Sequence, residues 1–257
     1  MCCLCSIFAP MLSSFSVIDW VILLSAAFVL GLSKSGIKGI SIIIVALMVM
    51  IFDAKASTGV LLPMLIVGDI FAVIYYNRHA QWKYLIRLLP FMMIGVVLGT
   101  FLADDMADYL FRKLMAVVIL FSVLVMFWWD KRKSKTVPTH ISFAGVMGLT
   151  AGFTTMVGNL AGSFANIFFL AMRLPKDAFI GTTAWLFLII NLYKVPFHVW
   201  SWGTINEQSI QASIITIPAI LLGLFVGIRI LRKVNDALFR KFILVMTAIG
   251  AVLIFFT

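Results

Sequence analysis

Ten hydrophobic segments follow one another along the 257 residues of this chain and leave almost no sequence for a water-soluble domain. Hydrophobic residues make up 63% of the chain and charged residues 12%, whereas soluble domains average about 45–50% and about 25%. A soluble core of this size could not bury so many apolar side chains, and a disordered chain is excluded as well. The sequence therefore predicts an all-α, polytopic transmembrane helix bundle. The segments lie near residues 18–32, 39–52, 57–77, 84–103, 109–129, 141–156, 160–172, 177–199, 208–230 and 236–256.

Membrane topology explains the net charge of +10 better than binding to nucleic acid does. We therefore expect no nucleic-acid partner. The one strongly polar linker, at 130–139, splits the chain almost in half. If this linker is cytoplasmic, alternation of the spans places most Lys and Arg residues on the cytoplasmic side, as the positive-inside rule requires. Both termini are then predicted to lie outside the cell. Three lysines, Lys34, Lys38 and Lys194, fall within hydrophobic stretches instead.

The sequence shows no arrangement typical of a metal site, a cofactor site or an enzyme. Cys2, Cys3 and Cys5 crowd the N-terminus without His or carboxylate residues at ligand spacing. No His-x-x-Glu-His, Cys-x-x-Cys or paired-carboxylate pattern is visible. We therefore expect no metal, no cofactor and no catalytic residues. The stretch 1–16 is interpreted as an N-terminal leader that is not a cleaved signal peptide.

An internal repeat divides the chain into a first half, 17–129, and a second half, 140–257. Each half contains five hydrophobic segments, an odd number, so the second copy must insert upside down relative to the first. Inverted repeats are the architecture of alternating-access transporters, in which two related halves move around a site at their interface. The matching elements are 108–113 with 236–241, Pro90, Gly95 and Gly99 with Pro218, Gly223 and Gly227, and Gly36, Gly59 and Asp69 with Gly158, Gly181 and Asn191.

Each half opens with two short segments joined by a polar, glycine-containing stretch, at 31–39 and at 152–159. Segments of about fourteen residues rise only about 21 Å as helix, so re-entrant or broken helices whose glycine-rich tips meet inside the protein are predicted. Helix N-termini, hydroxyls and lysines at such tips are suited to anions. The alternatives are that the lysines reach the surface or form structural ion pairs, and that the hydroxyls bond the helix backbone. The candidate substrate-binding residues are Ser33, Lys34, Ser35, Gly36, Lys38, Thr154, Thr155, Gly158, Asn159, Thr182, Thr183 and Asn191.

Asp69 is an acidic residue inside a predicted span. Pairing with Lys34 or Lys38 is the favoured interpretation, ahead of binding a proton or sodium ion or capping a broken helix. Its repeat mate Asn191 can donate hydrogen bonds to an oxyanion, which an ionised Asp cannot. Lys194 and His198 follow on the same helix as Asn191. Snorkelling to the interface is predicted for both, with a gate or proton relay as the alternative.

With these features in place, the chain resembles the TauE/SafE sulfite exporter family, also called the 4-toluene sulfonate uptake permeases. The resemblance rests on 31–39 with 56–59 and on 151–162 with 174–183, and it covers nearly the whole chain from about residue 17. Where family members often carry a longer glycine run, this chain has Ser-Gly-Ile-Lys-Gly at 35–39 and Val-Gly-Asn-Leu-Ala-Gly at 157–162.

The resemblance implies a secondary transporter of sulfite or organosulfonates such as sulfoacetate, outward in many members, in a bacterial inner membrane. Its partners would be a small anionic substrate and the lipid bilayer, and a homo-oligomer is compatible with the sequence. Two other functions stay open at this point. One is an anion channel of the same fold, and the other is a membrane-embedded enzyme or assembly factor.

Overall fold

The computed structural model describes residues 15–37, 40–130 and 140–233, and over these residues it contains helices and no strands. The prediction of an all-helical, polytopic bundle is confirmed. The predicted leader, the polar linker, Lys38 and the last hydrophobic segment lie largely or wholly outside the described residues. The helices are α1 (Val17–Lys34), α2 (Ser41–Val49), α3 (Ala54–Tyr76), α4 (Trp82–Ala103), α5 (Asp108–Asp130), α6 (Ile141–Gly158), α7 (Ala161–Ala171), α8 (Lys176–Pro196) and α9 (Glu207–Arg232).

Six of the helices in the described part of the chain are long and apolar enough to cross a bilayer, namely α1, α3, α4, α6, α8 with its π-helical continuation, and α9. By contrast α2 has nine residues and α7 has eleven, which rise only about 14 and 17 Å. Helices α1 and α6 reach 18 residues each, longer than their hydropathy indicated, because polar tip residues such as Ser33 and Lys34 stay helical. The surrounding protein buries those residues, so the membrane does not force the helix to end before them.

Glycines bring α1 and α9 into backbone contact. A Cβ atom on Gly31 of α1 would lie 2.0 Å from the Ile220 carbonyl oxygen of α9. A Cβ on Gly223 of α9 would lie 2.1 Å from the Phe28 carbonyl oxygen of α1. Small residues at the crossing let the two backbones approach, which is how helices associate where lipid supplies no hydrophobic drive.

Helices α4 and α6 make the same kind of contact. A Cβ on Gly152 of α6 would lie 2.0 Å from the Met92 carbonyl oxygen, and one on Gly95 of α4 would lie 2.3 Å from the Leu149 carbonyl oxygen. Gly95 and Gly223, which match in the two halves of the sequence, therefore play the same part in two helix pairs. In each pair the fourth helix of one half packs on the first helix of the other half.

Helices α3 and α8 cross antiparallel and are more deeply buried than α1, α4 and α9. Asp69 of α3 contacts Asn191 of α8, while Gly181 near the start of α8 faces the end of α3 at Tyr76. At the opposite end Gly59, near the start of α3, faces Thr204 just beyond α8. This antiparallel pair forms the frame on which the candidate site is built.

Candidate functional site

A small cavity of about 40 Å³ lies between the tip of α1 and the tip of α6, beside the α3–α8 crossing. A water molecule needs roughly 10–15 Å³ on this measure, so the cavity has room for a few waters or one small ion. Five of the predicted residues come together in its wall, although they are spread over the sequence. They are Ser33, Lys34, Thr155, Asn159 and Asn191.

The cavity also receives the N-termini of the two short helices. Ser41 begins α2, and Ala161 begins α7; both line the cavity. Neither helix has a side-chain hydrogen bond from its N-cap residue, Ile40 or Leu160. Free N–H groups at a helix N-terminus carry a partial positive charge and attract anions. Two such N-termini, one from each half of the chain, meet at one cavity.

Lys34 and Asp69 form a buried ion pair beside this cavity. Lys34 Nζ lies 2.6 Å from Asp69 Oδ1, and Asp69 is fully buried. Asn191 Nδ2 donates a 2.8 Å hydrogen bond to the other carboxylate oxygen. The Lys34 ammonium also lies 5.2 Å from the centre of the Phe187 ring, within range of a cation–π interaction. Because a buried charge is costly unless paired, this network fixes α1, α3 and α8 against one another.

Lys194 is fully buried, so the prediction that it snorkels to the interface is wrong. Its Nζ donates hydrogen bonds to the Thr155 carbonyl oxygen at 2.8 Å and to Asn159 Oδ1 at 2.5 Å. Asn159 is the left-handed C-cap of α6, with φ of 55°. A cation at the C-terminus of a helix is favourable, and here it adds a second hydrogen bond to the Thr155 carbonyl, which also accepts from the Asn159 N–H. These hydrogen bonds to the α6 tip keep the Lys194 ammonium inside the protein.

The prediction of snorkelling is wrong for His198 as well, which is also fully buried. It lies in the π-helical turn Phe197–Ser201 that continues α8. Its Nδ1 atom is 2.8 Å from Thr204 Oγ1, and its ring is 5.1 Å from that of Trp202. Its Nε2 atom has no hydrogen-bond partner within the described ranges.

The other predicted site residues in the described part of the chain lie in the tips or in the first half of α8, and none of them lines the cavity. Ser35 Oγ donates to the Leu32 carbonyl, Thr154 Oγ1 to Ala151, Thr182 Oγ1 to Ala178 and Thr183 Oγ1 to Ile180. These are the hydroxyl–backbone bonds that the sequence left as the alternative. Gly36 and Gly158 sit at the ends of the α1 and α6 tips. Lys38 lies outside the described residues.

Sequence reasoning missed Asn166 and Ser41, two polar residues in the cavity wall. Asn166 is buried, and its Oδ1 atom has no hydrogen-bond partner in the described part of the chain. An Asn in the middle of an apolar segment is the signal that could have identified it. For Lys194 the signal was spacing, since residues 191, 194 and 198 share one helix face.

The tips of α1 and α6 each pack against a buried helix from the other half of the chain. The α1 tip contacts α8, and the α6 tip contacts α3. At the α1 tip, Gly36 has φ of +119°, and a Cβ there would lie 2.8 Å from Ile180 Cδ1 and 3.0 Å from Leu231 Cδ1. Tyr76 Oη donates a 3.0 Å hydrogen bond to the Ser35 carbonyl of the same tip. We call these contacts the α1 seal.

The corresponding contacts at the α6 tip form the α6 seal. Asn159 Nδ2 donates a 3.2 Å hydrogen bond to the Thr58 carbonyl oxygen of α3. Gly59, the next residue, is packed so closely against Thr204 that a Cβ would lie 2.4 Å from it. In both seals a tip contacts the first half of a buried helix from the other half of the chain, at Ile180 of α8 in one case and at Thr58 of α3 in the other.

The arrangement is suited to holding a small anion. Lys34 is the ionisable side chain in the cavity wall, and it is paired with Asp69, while Lys194 lies behind the wall on the α6 tip. Two helix N-termini add partial positive charge, and Asn166 and Ser41 add neutral polar groups. Within the described ranges no group of three or more His, Cys, Asp and Glu residues is placed to hold a metal ion.

Comparisons with known proteins identify the chain at the level of its family. Comparison with curated proteins and with solved structures found no match. The family model described as sulfite exporter TauE/SafE matches residues 23–254, which include every described element of the cavity and of both seals. The multi-pass helical architecture is in keeping with a family of membrane transporters. The chain belongs to the TauE/SafE sulfite exporter family.

Proposed function

We propose that this protein is a secondary transporter for small sulfur-containing anions, sulfite or organosulfonates, and that it exports them by alternating access. The observation that carries the proposal is the meeting of the α2 and α7 N-termini with Lys34 at one cavity. Of the other predicted substrate-binding residues, four line this cavity with Lys34, and a substrate-binding role for Lys38, which lies outside the described residues, stays a prediction. The protein would lie in a bacterial inner membrane with both termini outside.

The size and charge of the cavity support a small monoanion as substrate. A cavity of about 40 Å³ holds an ion of a few heavy atoms. The Lys34 ammonium and the partial positive charge of the two helix N-termini favour the binding of one negative charge there. A sulfonate with a larger organic group would need the cavity to open on one side while the charged group stays between the tips.

The two seals support alternating access. Breaking the α1 seal would open the cavity towards the ends of α3 and α9, and breaking the α6 seal would open it towards the start of α3. Because the two halves of the chain contribute equivalent contacts, the two open states would be related by the same symmetry as the repeats. A channel would need both seals open together, so the structure favours a carrier.

The membrane potential supports the export of an anion. Moving one negative charge out of a cell that is negative inside by about 100 mV releases about 2.3 kcal/mol. An exporter of anions therefore needs no coupling ion, and the ion-paired Asp69 is assigned to holding Lys34 in place. Asp69 acts as charge partner in this scheme.

Binding to the purified protein tests the proposed substrate class. A ligand that binds the folded state raises the melting temperature in proportion to RT ln(1 + [L]/Kd). Sulfite, thiosulfate, sulfate and ethanesulfonate should be compared at equal ionic strength, with chloride as the reference. We expect stabilisation by sulfite or the sulfonate and loss of it in Lys34→Met with Asp69→Leu. Equal stabilisation by all the anions, or by none, would contradict the proposal.

A further inference from the structure

A groove of about 410 Å³ lies at one end of the bundle, separate from the central cavity. Its walls come from the end of α3, the start of α8 and the end of α9. The residues used below are Tyr75, Tyr76, His79, Lys176, Ile180 and Arg232. The topology predicted from the basic residues places this end on the cytoplasmic side.

The groove is lined by basic side chains that are held in place. The Arg232 guanidinium donates hydrogen bonds to Tyr75 Oη, from Nε at 3.1 Å and from Nη2 at 2.5 Å. Lys176 Nζ lies 3.4 Å from the Leu231 carbonyl oxygen. His79 lies in the same wall, and Asp177 is the acidic residue among the lining side chains. Two permanent positive charges against one negative charge make the groove attractive to anions.

The floor of the groove is the α1 seal. Ile180 and Leu231 line the groove and also pack against Gly36 at the tip of α1. Tyr76 lines the groove and bonds the Ser35 carbonyl of the same tip. Ser33 and Lys34, one turn back along α1, line the central cavity. One turn of α1 therefore separates the groove from the cavity.

We propose that this groove is a second anion-binding site, a vestibule in which Arg232 and Lys176 hold the substrate anion before the α1 seal opens. The inference rests on the proposed function, since it takes the substrate to be a small sulfonate or sulfite. The vestibule raises the local concentration of anion next to the seal, so it lowers the concentration needed for half-maximal transport. Lys34, beyond the seal, receives the anion when Ile180 and Leu231 separate from the tip.

The electrostatic potential of the groove can be measured by cysteine labelling, without a transport assay. A reporter cysteine is placed in the wall as His79→Cys, in a background where Cys2, Cys3 and Cys5 are replaced by Ser. The protein is reconstituted into phosphatidylcholine vesicles, which contain no anionic headgroup to occupy the groove. Labelling rates are then compared for methanethiosulfonate reagents that carry a sulfonate or a trimethylammonium group. The ratio of the anionic to the cationic rate reports the local potential.

We expect Arg232→Gln and Lys176→Gln each to lower that ratio about tenfold, since one charge at several ångströms in a watery site changes each of the two rates about threefold and in opposite directions. Arg229→Gln is the matched control, because Arg229 is exposed one turn earlier on α9 and stacks on Phe225 outside the groove. Free ethanesulfonate should slow labelling in the parent protein and protect less in the two groove variants. Equal ratios in Arg232→Gln, Lys176→Gln and Arg229→Gln, together with no protection by ethanesulfonate, would overturn the proposal.

Sulfite transport by the same variants separates the vestibule from the proposed function. The vestibule predicts a severalfold rise in KM with little change in kcat for Arg232→Gln and Lys176→Gln, and neither change for Arg229→Gln. Unchanged KM in all three variants of an active transporter would overturn the vestibule alone. If the parent protein moved no sulfite while the charge-dependent labelling and protection were present, the groove would stand as an anion site and the proposed substrate would be refuted.

Discussion

Asn191 Nδ2 donates a 2.8 Å hydrogen bond to Asp69 Oδ2, and these two residues occupy matching positions in the two halves of the sequence. A residue that meets its own repeat mate lies where an axis relating the two halves would pass. The substitution of Asn for Asp on one side also keeps the pair from being two repelling carboxylates. The remaining carboxylate oxygen is left for Lys34, so a pair of repeat mates positions the cation beside the cavity.

Removing Lys34 alone should destabilise the protein more than removing the whole ion pair. Lys34→Met leaves the Asp69 carboxylate buried without its cation, which costs about 3–5 kcal/mol for a buried pair. Lys34→Met with Asp69→Leu removes both charges and should recover much of the lost melting temperature. Thermal unfolding in detergent or nanodiscs measures this, with the exposed Lys83→Met as control. Equal destabilisation by the single and double variants would show that the pair is not the source of the effect.

Lys194 should be required for anion binding even though it lies behind the cavity wall. Lys194→Met removes the hydrogen bonds to the Thr155 carbonyl and Asn159. Hydrogen bonds from a charged group are worth about 1.5–3 kcal/mol, and the charge itself is lost from the site. We expect anion affinity to fall by about tenfold or more on that basis.

The exposed Lys113→Met on α5 controls for the loss of a lysine in that experiment. Titration of sulfite or ethanesulfonate into each purified variant gives the dissociation constant of the anion for Lys194→Met and for Lys113→Met. If Lys194→Met bound the anion as tightly as Lys113→Met, Lys194 would be a structural cap of α6 with no part in the site.

The helices could be predicted from the sequence because hydropathy and helix length are local properties. All nine described helices coincide with predicted hydrophobic segments. The meeting of the two tips was predicted from their glycines and polar residues, and the cavity wall contains residues of both tips. Matching glycines also pointed to equivalent packing, since Gly95 and Gly223 each meet a neighbouring backbone.

The position of Lys194 could not be predicted in this way, because its partners lie 35 and 39 residues away in the chain. A lysine near the end of an apolar helix reaches water in the absence of such partners, so snorkelling was the reasonable expectation. The same applies to Asn166, whose place in the cavity wall depends on how α7 folds back against α6. The sequence marks Lys194 by its helix-face spacing and Asn166 by its place within an apolar segment, but it does not show which distant residues they contact.

Backbone contact at Gly152 should make any side chain there costly. In Gly152→Ala the new methyl group would lie 2.0 Å from the Met92 carbonyl oxygen, so α4 and α6 must separate. Overpacking of this kind costs about 1–3 kcal/mol or more. Gly145→Ala on the same helix is the matched control, because its Cβ would meet Phe91 at an ordinary 3.6 Å. The melting temperature should fall for Gly152→Ala and hold for Gly145→Ala, and a fall of equal size in both would contradict the close approach.

Weakening the α1 seal should let anions leak. Ile180→Ala removes the side chain that closes against Gly36, and a hydrophobic constriction that is widened fills with water more readily. We expect a severalfold rise in the passive flux of anions through proteoliposomes, without the saturation of carrier transport. Leu192→Ala is the control, since Leu192 is half exposed on the outside of the same helix. An unchanged passive anion flux in Ile180→Ala would mean that the gate lies elsewhere.

Counterflow of sulfite in proteoliposomes tests most directly whether this protein carries a small sulfur anion by alternating access. Vesicles loaded with unlabelled sulfite are diluted into a trace of radiolabelled sulfite, and internal label is followed with time. Alternating access predicts a transient accumulation of label above equilibrium that saturates with sulfite concentration, and its loss in Lys34→Met with Asp69→Leu. Label that only equilibrates, at a rate linear in concentration, or that does not enter at all, would contradict it.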